Sequence, residues 1–197
     1  RRYADNGGRI FDEHLNSYWI SHGLPPWPTT AAWQQSVASD PPTPLPATVN
    51  VSFPKGAALA DWLQSVGATT ARGQLSLVMA QHSVDAVTPP TQLWISSASP
   101  ATTQYLTFNT PVEAPAAAQC GRVVFTDVHV GTGGGSSAPG APGFPSLCST
   151  NLTMSAQEKA LEFMFFDLSS CVQVDTTTPQ TPPIPPLGGT TPPPPIP

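Results

Sequence analysis

Apolar positions fall into short blocks with different periods along the chain. Leu59, Trp62, Leu63 and Val66 recur at helical spacing and predict a helix over 57–66, closed by Gly67. Strands are expected at 74–79, 92–97 and 104–110, the last alternating Tyr105-Leu106-Thr107-Phe108. Arg122-Val123-Val124-Phe125 opens the strongest strand, running to Val130. Its leading residues barely alternate, as in a strand buried on both faces. Another strand, Arg9 to His14, follows a helix end stopped by Gly7-Gly8. Ser155 and Glu158 have the spacing of a capping box. They open an apolar helix that ends near Cys171 and must be covered by other elements.

Between these blocks the chain is punctuated rather than periodic. Prolines 25, 26, 28, 41, 42, 44, 46 and 54 forbid long regular structure from Gly23 to Pro54, leaving only Thr30 to Val37 as a possible short helix. The 17 residues from Gly131 to Leu147 include six glycines and three prolines and read as a lid or loop. From Asp175 onward ten of 23 residues are proline and six are threonine, which predicts an extended tail over 175–197. The division expected is therefore an α/β domain over 1–174, carrying a β-rich insertion at about 25–115, and this tail.

Composition narrows the classes of function. Charged residues make up only 10% of the chain and Lys and Arg do not cluster, so the basic footprint that phosphate binding needs is missing. No apolar run reaches the length of a membrane span. Low charge with many short polar side chains suits an extracellular or cell-surface protein. The start at Arg1, without a Met or a signal stretch, reads as the middle of a longer polypeptide.

Two motifs carry a family resemblance. Asn6-Gly7-Gly8-Arg9-Ile10-Phe11 with His14, and Gly121-Arg122-Val123-Val124-Phe125 with His129, resemble the "GGR" and "GRV" strands of the class I glutamine-amidotransferase-like superfamily, its ThuA-like branch in particular. Cys120-Gly121-Arg122-Val123-Val124-Phe125, Ala160-Leu161-Glu162-Phe163-Met164 and Asp167-Leu168-Ser169-Ser170-Cys171 are also similar to segments of large secreted bacterial surface proteins. The resemblance implies the C-terminal part of a flavodoxin-like parallel sheet, with the superfamily's nucleophile upstream of Arg1. No cofactor is implied.

Chemistry is expected first at the histidines. His14 and His129 end predicted parallel strands, the edge where α/β folds place ligands. Asp127 shares a strand face with His129 and is the candidate to orient it. Asp12 or Glu13 would complete a cluster suited to general-base work or a weak metal site. The alternative is hydrogen-bonded polar groups that only cap strand ends. Trp19, Trp27 and Trp33 offer either a sugar-stacking platform or anchors for a proline-rich loop. Of the three cysteines, topology pairs Cys120 with Cys171, because a helix returning antiparallel to its strand ends beside that strand's start. Cys148 then lies at the far end. The leading functional reading is a non-catalytic binding or assembly module whose partners are the rest of its polypeptide, neighbouring subunits or carbohydrate. Alternatives are a hydrolase with its nucleophile upstream and a structural subunit of an extracellular assembly.

Overall fold

A computed structural model describes residues 1–34, 40–130 and 154–178. A short helix α1 (Arg2–Asp5) is stopped by Gly7 at φ +99°, with Gly7 N–H donating to Ala4 and Gly8 N–H to Tyr3. That is the left-handed closure expected of the Gly-Gly pair. Strand β1 (Arg9–Glu13) leads through a 3-10 turn, His14–Asn16, into α2 (Ser17–Ser21). Then come β2 (Ala31–Trp33), β3 (Leu45–Val49), α3 (Pro54–Ser65), β4 (Gln74–Leu77), β5 (Val84–Val87), β6 (Gln92–Ala98), β7 (Ala101–Thr110), β8 (Gly121–Thr126) and α4 (Ala156–Ser169). Helix α3 closes at Gly67 as expected, and α4 opens with the Ser155/Glu158 capping box formed in both directions. Among the described residues, no helix is long and apolar enough to cross a membrane.

Among the described residues six strands form one sheet in the order β1-β8-β7-β6-β3-β4, and β2 pairs with β5 in a separate ribbon. The fold is mixed α/β, but the sheet is not the expected parallel half-sheet. Of its five pairings only β1 with β8 is parallel. Nor is region 25–115 set apart from the rest: it supplies β3, β4, β6 and β7 to the same sheet. Strand β3 escaped the sequence reading because of its prolines. Pro46 lies in the half of β3 that pairs only with β4, an edge position where a missing N–H is tolerated. The expected helix near Thr30 is instead β2, where Ala31 and Trp33 point inward; residues 35–39 of that segment lie outside the described ones.

Both faces of the sheet are covered, which is why every residue of β8 is buried. On one face Val124 and Val128 join Leu59 and Leu63 of α3 and Met164 and Leu168 of α4. On the other, Val123 and Phe125 meet Ile20 of α2 with Trp27, Trp33 and Val84. The start of β8 also carries a charge network. The Arg122 side chain is 1% exposed and contacts Asp167 of α4 at 2.6 Å and Asp175 at 2.7 Å. Lys55, in the first turn of α3, reaches the same carboxylates at 2.7 and 3.5 Å. A cation in that turn opposes the helix dipole, and two carboxylates offset it. Asp175, expected to open the tail, is thereby fastened to the sheet, where it also accepts from Thr107 Oγ1 at 3.0 Å. The loop 131–147, Cys148 and residues 179–197 lie outside the described residues.

Candidate functional site at the β1/β8 edge

The parallel register sets Glu13 beside Thr126, so the two strands end together and their next residues share one edge. Immediately after Glu13 the backbone turns out of the sheet. His14 takes φ +45°, a left-handed conformation that a side-chain-bearing residue adopts only at a cost. On the other strand, Val128 is held by a bridge to Ala80. The His129 carbonyl accepts from the Gln157 side chain of α4, which also brackets the Val78 backbone with bonds of 3.0 and 3.1 Å.

This scaffold brings three titratable side chains into a line. Glu13 Oε1 lies 2.5 Å from His129 Nδ1. His129 Nε2 in turn lies 3.0 Å from His14 Nδ1, with the rings edge-to-face at 4.9 Å. Glu13 and His129 are each about one-third exposed (31% and 32%), and His14 is likewise half-buried, so the line lies at the rim of the sheet rather than in the core. Burial holds the His14 imidazole below its ordinary range and His129 adds to this, while Asp40 and Glu13 oppose it. The His14 ring is therefore neutral at neutral pH. The arrangement can pass a proton along hydrogen bonds. It does not gather ligands around a point: among the described residues no group of three or more His, Cys, Asp or Glu could hold a metal ion.

Beyond His14 the chain turns aromatic side chains outward. Ile20 anchors α2 in the core, leaving Leu15 (74%), Tyr18 (59%) and Trp19 (71%) exposed. Tyr18 stacks on His22 at 4.1 Å and meets Trp19 edge-on at 6.3 Å. His82 lies elsewhere, paired with Asp85 at 2.7 Å.

Three expectations need correction. Asp127 does not orient His129. It is fully buried and accepts from the Ser83 backbone N–H at 2.7 Å. Its other carboxylate oxygen has no hydrogen-bond partner among the described residues, and burial pushes its carboxyl up to about 6. The orienting carboxylate is Glu13, whose side chain the pleat sends to the opposite face from Asp12. The three tryptophans do not make a platform. Trp27 and Trp33 are core residues packed edge-on against Phe108 and Phe125 at 5.6 and 5.2 Å, leaving only Trp19 open. Finally, Cys120 and Cys171 are both exposed free thiols. The ends of β8 and α4 do meet, but Arg9 joins them. Its guanidinium donates to the carbonyls of Cys120 (2.7 Å), Leu168 (3.0 Å) and Ser170 (3.2 Å).

No family model, curated protein or solved structure matches the chain. The functional reading rests on this geometry. Gln157 and Glu13 are the members the sequence signals least. Gln157 sits inside a capping box, where its side chain has no assigned role, and Glu13 is told from Asp12 only by strand parity.

Proposed function

We propose that the protein is an extracellular binding or assembly module of a larger bacterial surface polypeptide, and that it binds where β1 and β8 end. One observation carries this reading: a chain of polar side chains, anchored in the sheet at Glu13, ends at His14, and the short helix that follows His14 in the chain exposes Tyr18 and Trp19. Exposed aromatic rings together with hydrogen-bonding imidazoles suit a neutral, hydroxyl-rich ligand, and a chain with so few charges offers little to an ionic one. A carbohydrate is the ligand class proposed. The amidotransferase-like resemblance is kept as part of this proposal and is supported by the parallel β1/β8 pair with a histidine just beyond each strand. The same three side chains also support a second reading, a hydrolase whose nucleophile comes from upstream in the polypeptide.

The test is retention on a panel of immobilised neutral oligosaccharides. Wild type should be retained by at least one, and Trp19→Ala and His14→Ala should each lose that retention while keeping a wild-type melting temperature. Retention by none, or retention unchanged in both variants, contradicts the reading.

A further inference from the structure

We propose that Glu13, His129 and His14 form a proton relay, with His14 Nε2 as the outer atom that takes a proton from a ligand hydroxyl. The inference names the chemistry of the edge on which the binding reading rests. It follows from the direction each hydrogen bond must take. An ionised Glu13 only accepts, so His129 Nδ1 carries the hydrogen of their 2.5 Å contact. In the relay's starting state His129 is neutral and presents Nε2 as an acceptor, so the 3.0 Å bond to His14 is donated by His14 Nδ1. A neutral imidazole has one N–H, so His14 Nε2 is left as a lone pair, with no partner among the described residues.

One proton converts this state into a second. A hydroxyl O–H bond breaks, and its proton forms an N–H bond at His14 Nε2. The Nδ1 proton of His14 crosses to His129 Nε2. His129 becomes an imidazolium held against Glu13, and His14 stays neutral in its other tautomer. The ligand keeps the electron pair as an alkoxide, and the reverse transfer restores the starting state. The positive charge thus settles between Glu13 and His129, not on the outer ring. Burial and His129 both disfavour charge on His14. The charged or titratable groups acting on this line are Glu13, His129 and Asp40, with Tyr105 facing Glu13 across the sheet. The left-handed His14 backbone fits a residue held in place for its ring.

Long-range ¹H–¹⁵N NMR of the free protein reads both tautomers directly. The expected spectrum at neutral pH shows His14 protonated on Nδ1 and bare on Nε2, and His129 protonated on Nδ1. Glu13→Ala should lose the Nδ1–H preference at His14. An Nε2–H tautomer at His14 in wild type overturns the relay. The measurement needs no ligand, so the relay stands or falls separately from the carbohydrate reading, and wild type decides it even if Glu13→Ala fails to fold.

Discussion

Strand β8 has a polar network at each end, and the two differ in what they leave open. At its start, Arg122 and Lys55 face Asp167 and Asp175, two cations against two anions, all at most about one-tenth exposed. Arg122 also donates to Asn109 Oδ1 at 2.8 Å, and Thr107, which bonds both Arg122 and Asp175, accepts from the buried Trp94 indole at 2.8 Å. The charges are spent on one another, and the result ties α3, α4 and the segment around Asp175 to the sheet. Beyond the strand's other end, among the described residues, the Glu13–His129–His14 line is anchored at Glu13 and finishes on the half-buried His14 ring. A network closed on itself holds a fold together. One with a free terminus at the surface is available for chemistry.

The largest expected effect comes from opening the closed network. Arg122→Met leaves two buried carboxylates with Lys55 alone, and denaturant unfolding should show a loss of about 3–5 kcal/mol. A loss well under about 1 kcal/mol would mean that the cluster holds nothing.

Asp127, which lies between Arg122 and His129 in the chain, sharpens the comparison through pH. Its carboxyl is raised from 3.8 to about 6, so the folded state binds the proton more tightly than the unfolded chain. Ionisation therefore costs stability: the cost is absent below the unfolded value, grows as pH rises through 3.8 to about 6, and is constant above. Relative to Asp127→Asn, wild type should gain about 2–3 kcal/mol on acidification across that window. A wild-type minus variant difference that does not change with pH would contradict the burial assigned to Asp127.

A smaller effect is expected at the entrance to α4. Ser155→Ala removes one half of the capping box, and with it about 1 kcal/mol. Because Gln157 in the same turn fixes the His129 carbonyl, NMR shifts of His129 in this variant should show whether fraying of α4 reaches the open line. Unchanged His129 shifts alongside the stability loss would separate the two.

Local signals made part of this legible in the sequence. The Gly-Gly stop, the capping box, the helix closed by Gly67 and the doubly buried β8 are short-range patterns, and the structure contains each of them. The approach of His14 to His129 follows from two strands whose motifs end at the same edge. What could not be read depends on partners far apart in the chain. Asp175 sits in a proline/threonine stretch and looks solvated until Arg122, 53 residues earlier, is known to face it. Trp27 and Trp33 lie among prolines and look like surface rings until β8 supplies Phe125 and β7 supplies Phe108 to receive them. Parity placed Asp127 on the His129 side, but β8 ends at Thr126 and the alternation does not continue past it.

The claim that the two ends of β8 serve different purposes is tested most directly by the melting temperature of His14→Gly. Glycine takes φ +45° without strain, and His129, already one-third exposed, can turn its freed nitrogen to water. If His14 is kept for what its ring does at the surface, the variant should melt at the wild-type temperature or above it while losing ligand retention. A melting temperature lowered as far as that of Arg122→Met would show that the His14 end is as structural as the other and contradict a surface role for its ring.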